Sequence, residues 1–480
     1  MKRDDSASAV DLDRPLSIHF VGIGGTGMSA LATVLLEAGH SISGCDLQRS
    51  EVISDLVRRG ALIQIGHDAT HVYGVDLVVM TSAVPDDTPE VGAARQASIP
   101  VIKRAELLGL LTRRQRSICV AGTHGKTTTS AMLALALTAA GRDPTVLVGG
   151  VIPRLGSGAR LGHGDVLVAE ADEYDGSFLR FSPEVAIVTN VEPDHLDFYG
   201  SLERIEEAFT SFLALVPPSG ARIVCWDDPW LRRLSGSEGA PLVTYGLEPG
   251  ADWQAKDIRT NDRGGNDSMV WYQGVRIGEL SLAVPGCHNV ANALAAVAAC
   301  AAVRVDFDEV ARALIDFDGV RRRFELKGSV AEIKVFDDYA HHPTEVRATL
   351  AAARERTRGH IWCVFQPHTY HRTAALFDEF ASAFGDADKV VITEVYSPAG
   401  REQPDTRFTS ARLVDVMNHR GATYIATLSD AAARVAADAQ PGDLILTMGA
   451  GPITQMGDDL LARLNRRFDV APGDGDAVDA

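Results

Sequence analysis

The chain has 480 residues, of which 46% are hydrophobic and 23% charged, and its 64 acidic against 46 basic residues give a formal charge of −18. At roughly 150 residues per domain there is room for about three globular domains, and the acidity excludes broad electrostatic binding of DNA, RNA or anionic lipid. Anionic ligands must then be met locally, by a few cations, backbone N–H groups or metal ions.

Residues 1–14 and 469–480 are small, polar and acidic, and are expected to be disordered. No apolar h-region follows the start, and no apolar run reaches the ~20 residues that spanning needs. Six cysteines, at 45, 119, 225, 287, 300 and 363, contain no C-x-x-C pair. That favours a reducing, cytoplasmic setting over a disulfide framework or a ligand-spaced zinc site. Ile18 to Ile23 predicts a strand, Met28 to Ala38 a helix, and Ser41 to Gly44 a second strand. Between the first strand and the helix lies GIGGTGMS, with Gly22, Gly24, Gly25, Thr26 and Gly27, and Asp46 closes the next strand. Such a loop cradles a diphosphate on its N–H groups, and an acidic residue about 20 positions on meets a ribose or base. Leu107 to Arg116 predicts the helix and basic connector that end the first domain.

Ser117 to Val120 predicts a strand that leads into GTHGKTTT, Gly122 to Thr129, and then a helical run. Gly122, Thr123, His124, Gly125 and Thr128 belong to a nest for phosphate oxygens, Lys126 reaches the β/γ-phosphates, and Thr127 is a ligand for Mg²⁺. Val120 stands where the usual spacing has a glycine, so the loop is a short variant. Four apolar residues, Val166 to Ala169, end at Glu170, and His195 lies just beyond a second apolar run, Val185 to Val188. Thr127, Glu170 and His195 are the candidate metal ligands; Asp172 and Glu173 fit a merely solvated role. Gln273-Gly274 between VWY and VRI predicts a hairpin, and Gly319 to Arg323 the joint before a strand at Ile333 to Phe336 and a helix from Pro343. Three restarts of the rhythm predict three α/β domains on mainly parallel sheets, placed at 15–112, 113–322 and 323–468. Two histidine pairs, 341/342 and 368/371, lack a third ligand at zinc spacing, and Arg321 and Arg323 fit a solvated face.

GIGGTGMS, GTHGKTTT, AEADE, EPDHLD, PGCHNVANALAA, RRFE, DDYAHHPTE and FQPHTY occur in that order from about residue 16 to 456, and the chain so marked resembles the Mur ligase family. The resemblance implies an N-terminal Rossmann-like domain for a UDP-sugar, a central P-loop ATPase-like domain, and a C-terminal Rossmann-like domain that closes over ATP and an amino acid. It implies an ADP-forming amide ligase of peptidoglycan precursor synthesis. The substrates would be ATP, UDP-N-acetylmuramate and L-alanine, with two Mg²⁺ ions, or Mn²⁺ in their place, in a cytoplasmic monomer or weak dimer that binds neither nucleic acid nor membrane. On matching positions, His288, Asn289 and Asn292 would lie by the adenine and sugar of ATP, and Asp338 by its ribose. Arg322, Tyr339, His341 and Arg372 would surround the acyl group and the amino acid, with Lys126, His341 and Arg372 catalytic. The first glycine loop and Asp46, with His67 and Ser82 beside them, would hold UDP. Tyr174 and His371 stand where serine is usual, and Pro452 where an acidic residue commonly follows GAG. Competing expectations are a murein-peptide-recycling ligase of the same family, a folate polyglutamating ligase, a nicotinamide-dependent oxidoreductase using the GIGGTG loop, and a non-enzymatic nucleotide switch.

Overall fold

A computed structural model describes residues 10–81, 84–234, 236, 238–398 and 402–468; Ser82, residues 1–9 and the tail 469–480 lie outside the described residues. Apolar runs such as Leu77–Met80 and Val185–Val188 are buried along their whole length, as strands covered on both faces must be. Three sheets result.

The first contains β1 (Ser17–Val21), β2 (Ser41–Asp46), β3 (Leu62–Ile65), β4 (Leu77–Met80) and β5 (Val101–Lys103), all parallel, in the order β3-β2-β1-β4-β5. Strand order reverses between β1 and β4, so the loop after β1 opens at a switch point, where such sheets take ligands. β1 stops at Val21 rather than Ile23 because Gly22 turns the chain with φ +81°, and the helix begins at Thr26, two residues before its expected start.

The second sheet contains β6 (Arg116–Ala121), β7 (Thr145–Ile152), β8 (Ser157–Arg160), β9 (Val166–Glu170), β10 (Val185–Val188), β11 (Ala221–Cys225), β12 (Leu242–Gly246), β13 (Trp253–Thr260), β14 (Asn266–Tyr272) and β15 (Val275–Ser281). Its order is β15-β14-β13-β12-β11-β10-β6-β9-β7-β8, parallel from β13 to β7 and antiparallel at both edges. The expected hairpin at Gln273-Gly274 joins β14 to β15, with φ +47° and +81° at its two turn residues, both positive as a type I′ turn requires.

The third sheet contains β16 (Glu325–Val330), β17 (Ile333–Asp338), β18 (Ile361–Phe365), β19 (Lys389–Ile392), β20 (Ala422–Tyr424) and β21 (Leu444–Met448). It runs β16-β17-β21-β18-β19-β20 and is antiparallel only at β16-β17. The molecule is therefore a three-domain α/β fold with mainly parallel sheets.

One apolar cluster runs from Leu12 to Val320 through the first two sheets, whereas the two faces of the third sheet are packed by clusters of their own. The segment that follows β9 is pinned by Phe178, fully buried between the rings of Phe209 and Phe212 at centroid distances of 5.2 and 4.9 Å. Truncating a buried aromatic removes transfer energy and leaves a cavity. Phe178→Ala is expected to destabilise the central domain by about 3–5 kcal/mol, which urea denaturation followed by tryptophan fluorescence checks.

Candidate active site

Register brings the site together at the carboxyl ends of the strands. β6 lies between β9 and β10, with Val120 opposite Glu170 and Ala121 opposite Val188. The loop leaving β6 therefore faces the residues that follow its two neighbours. Gly122 has φ +130°, and a Cβ there would meet Thr189 Oγ1 at 2.0 Å; Gly125 has φ +81° and caps the helix Lys126–Ala139 in a left-handed conformation. Only glycine takes both positions without strain.

Lys126 folds back over this loop. Its Nζ donates to the carbonyls of Gly122 (2.6 Å) and Thr123 (3.2 Å) and to Glu173 Oε2 (2.8 Å). Burial opposes the ammonium charge, but Glu173 and Asp172 outweigh it and raise the Lys126 pKa. Burial also pushes the Glu173 carboxyl up to about 7 against the pull of Lys126. Glu173 is thus a buried partner of the lysine rather than a solvated residue.

Thr127 Oγ1 donates to Glu170 Oε1 at 3.0 Å, and Gly149 N–H donates to Glu170 Oε2 at 2.8 Å. Glu170 lies outside the neighbouring trio of donors, Asp172, Glu173 and His195, whose ligand atoms fall within 4.8 Å of one another. His195 opens a short helix with φ +50°, and burial lowers its pKa, which favours the neutral ring that metal ions bind. The residues expected to hold metal thus divide into a Thr127–Glu170 pair and a His195 group that includes two carboxylates.

Two cavities flank the loop. The smaller, about 170 Å³, is lined by His124, Gly125 and Thr128 of the loop together with His288, Asn289, Asn292 and Asp338. Asn292 Oδ1 accepts from Thr129 Oγ1 at 3.2 Å, and Asn289 Nδ2 donates to the Pro285 carbonyl at 2.7 Å, so both carboxamides are held in place. Arg323 lines the same cavity and reaches Glu345 at 3.4 Å; the expectation of a solvated face fails for it. The larger, about 490 Å³, opens between the central and C-terminal sheets and is lined by Asp172, Tyr174, His195, Tyr339, His341, His371 and Arg372, among others.

Arg322 is not among the lining residues of the larger cleft. Its guanidinium stacks on the Tyr339 ring at 4.7 Å and donates to the Gly449 carbonyl at 2.8 Å, with Asp337 at 3.4 Å. It supports Tyr339 from behind. His341 Nδ1 lies 2.9 Å from the Tyr339 carbonyl and 3.3 Å from Glu345 Oε2. Both neighbours only accept, so Nδ1 carries the proton and Nε2 is the acceptor. Burial lowers the His341 pKa to about 3.

At the first sheet, Gly24 N–H donates to Asp46 Oδ2 at 2.9 Å, and the N–H groups of Gly22 and Ile23 donate to the Cys45 carbonyl. His67 is anchored on Glu90, 3.1 Å from Oε2. Sequence reasoning missed Arg104, which lies against Gly27 of this loop and within 3.9 Å of Asp172. It is a cation shared by the first glycine loop and the acidic trio. Its only signal was the basic Lys103-Arg104 pair before the connector helix.

A polar seam joins the C-terminal domain to the central one. Thr344 Oγ1 donates to Glu192 Oε2 at 2.6 Å, Arg372 Nη2 donates to Asp194 Oδ1 at 2.9 Å, and His124 lies 3.5 Å from Glu192 and 3.4 Å from Glu345. These carboxylates stand in EPDHLD and HPTE, motifs in which only the histidines had been singled out. Burial opposes a charge on His124, but Glu192 and Glu345 outweigh it and raise its pKa to about 9. A raised pKa adds stability that is complete below about 6.5, the unfolded value, and declines as pH rises toward 9. The thermal midpoint of His124→Asn should therefore lie below that of the parent at pH 6.5, and the gap should close by pH 9.5 in parallel calorimetric scans.

Three family models match the chain: "Mur ligase family, catalytic domain" over residues 17–116, "Mur ligase middle domain" over 120–300, and "Mur ligase, glutamate ligase domain" over 322–451. Curated relatives named UDP-N-acetylmuramate--L-alanine ligase include that of Desulforamulus reducens, 45% identical over 94% of this chain and 98% of the relative. That of Geobacter sulfurreducens is 46% identical over 93% and 97%. Among solved structures, the UDP-N-acetylmuramate-alanine ligase of Thermotoga maritima superposes with a TM-score of 0.78 at 33% identity, over 94% of this chain and all of that one. A murein peptide ligase of Psychrobacter arcticus gives 0.70 at 27% identity, over 94% and 98%.

Proposed function

We propose that this chain, which belongs to the Mur ligase family, is an enzyme that joins L-alanine to the lactyl carboxylate of UDP-N-acetylmuramate at the expense of ATP, a step of peptidoglycan precursor synthesis. Identity of 45–46% to curated alanine-adding ligases over nearly the whole chain, and a TM-score of 0.78 to a solved one against 0.70 to a murein peptide ligase, support the amino acid over a peptide as second substrate. An oxidoreductase would leave the second phosphate loop without a role. The observation that carries the reading is the buried Lys126–Glu173 pair, set between a cavity lined by the phosphate loop and a cleft lined by two domains.

A carboxylate is a poor electrophile. In the reaction we assign, the lactyl carboxylate attacks the γ-phosphorus of ATP, the bond to the β-phosphate oxygen breaks, and ADP and an acyl phosphate result. The free amine of alanine then attacks the acyl carbon, and the tetrahedral intermediate expels phosphate. Catalysis of such transfers is chiefly positioning and charge stabilisation. Lys126 turns from Glu173 to the γ-phosphate, exchanging one anionic partner for another. The oxygens of Thr127, Glu170, Asp172 and Glu173, with His195, suit Mg²⁺ as a donor set and would hold it; when bound it neutralises charge on the phosphate oxygens.

His341, with Nε2 as acceptor, orients the amine. A pKa of about 3 makes it too weak a base to keep the proton, which passes on to solvent or phosphate. Arg372 faces the cleft with Nε and Nη2 tied to Asp194 and Nη1 3.2 Å from His368 Nδ1, so its charge is held at the cleft wall, where it would stabilise the acyl phosphate. Residues 15–112 serve the UDP-sugar, 113–322 ATP, and 323–468 the amino acid and closure. The separate core of the third domain and its polar seam to the second are what closure over an acyl phosphate needs, since water must be excluded.

Phosphate release should require UDP-N-acetylmuramate and L-alanine together, and ATP turnover indifferent to the amino acid would overturn the reading. Lys126→Ala should lower kcat/KM by about 10²–10³-fold, the loss typical of one preorganised donor, with folding intact by circular dichroism. Arg104→Ala should raise the KM for UDP-N-acetylmuramate roughly tenfold or more with kcat retained, as expected for a lost charged hydrogen bond to substrate.

A further inference from the structure

The N-terminal domain holds a further cluster of donors that the ligase chemistry does not use. His19 comes from the middle of β1, Cys45 from the end of β2, His71 from the single-turn helix Ala69–Val72, and Glu90 from the start of the helix Pro89–Gln96. Their ligand atoms lie within 4.8 Å of one another. His19, Cys45 and Glu90 are fully buried, and the His71 side chain is 13% exposed.

We propose that His19, Cys45, His71 and Glu90 form a closed, structural zinc site beneath the first glycine loop.

Two independent observations support it. Zinc bonds of about 2.0–2.3 Å at tetrahedral angles place ligand atoms about 3.3–3.8 Å apart. Here Cys45 Sγ lies 3.3 Å from Glu90 Oε1, and His71 Nδ1 lies 3.0 Å from that oxygen, so small side-chain adjustments open a cavity of ionic size. The second observation is an unpaired group. His19 Nδ1 is engaged with Ser43 Oγ at 2.9 Å, and the buried Nε2 has no hydrogen-bond partner among the described residues. An orphaned buried nitrogen is uncommon in native proteins, and a hydrogen bond at the other ring nitrogen is what zinc-binding histidines show.

The donor types agree with the metal. Two imidazoles, a thiolate and a carboxylate suit zinc, and four protein ligands leave no open position, which marks a structural rather than catalytic site. Binding releases the Cys45 thiol proton to solvent, and thiolate and Glu90 carboxylate together neutralise the dication. His67 borders the four, its Nδ1 3.1 Å from the second Glu90 oxygen and 3.6 Å from Cys45 Sγ, and it holds the carboxylate from the side. The site is tied to the loop above it because the Cys45 carbonyl accepts from Gly22 (2.9 Å) and Ile23 (3.1 Å). Bound zinc thus stiffens the first loop, whatever that loop binds.

The test uses full-length protein stripped with a chelator, reloaded with Zn²⁺ or Co²⁺, and passed through gel filtration. Glu170→Ala combined with His195→Ala serves as background to weaken metal binding at the phosphate loop and at the trio beside it. One zinc per chain should remain by elemental analysis, the cobalt form should show a thiolate-to-metal charge-transfer band, and zinc should raise the thermal midpoint. Cys45→Ser should abolish the band. Cys45→Ser and His71→Asn should each weaken zinc retention by at least about 10–100-fold, the loss seen when even an outer-shell partner is removed. His71 sits near the surface, so its variant decides the matter if Cys45→Ser fails to fold. No retained zinc in the Glu170→Ala, His195→Ala background, or retention unchanged in the folded ligand variants, would overturn the site.

Discussion

Lys126 is an ammonium ion whose side chain is only 14% exposed, and a charge so enclosed costs several kcal/mol if left unpaired. Much of the central domain can be understood as the means of neutralising it. The loop curls so that two of its own carbonyls face Nζ, which requires left-handed glycines at 122 and 125. β9 ends at Glu170 so that Glu173, three residues on, can close the ion pair, and Phe178 fastens the segment that carries it. In the reaction we propose, a terminal phosphate would displace one anion and bring another, so the lysine would not have to be stripped of its counter-charge before substrate arrives.

The way the domains are joined follows a different rule. One apolar cluster runs through both of the first two sheets, beside a smaller one that belongs to the first alone. The third has its own cores and meets the second through hydrogen bonds and ion pairs around His124, Glu192, Asp194, Thr344 and Arg372. A polar seam can part and rehydrate without exposing apolar surface, whereas an apolar one cannot. A domain that must open for substrates and close over a water-sensitive intermediate is best attached in this way.

Local chemistry made part of this legible in advance. The order strand, glycine loop, lysine, hydroxyl and helix is written within fifteen or so consecutive residues, because a phosphate cradle is built from successive backbone groups. Glu173 was misjudged because an acidic residue after a strand looks alike whether it faces solvent or a lysine 47 positions away. Arg322 was placed in the acyl site and in fact braces Tyr339, since the motif fixes its position along the chain but not the side toward which it turns. The seam carboxylates went unnoticed because each needs a partner from another domain to acquire meaning.

By itself the amino-acid order determined the three α/β units, the two glycine loops and the candidate phosphate and metal residues, because strand periodicity, turn chemistry and phosphate cradles depend on neighbours in sequence. Only the tertiary structure decided which of the acidic residues are buried, how the third domain is fastened, and that His19, Cys45, His71 and Glu90 come within reach of one another. The cysteine spacing argued against a zinc site made from one contiguous motif. A site assembled from two strands, a turn and a helix leaves no spacing to read, since parallel pairing and packing bring together residues that the chain keeps far apart.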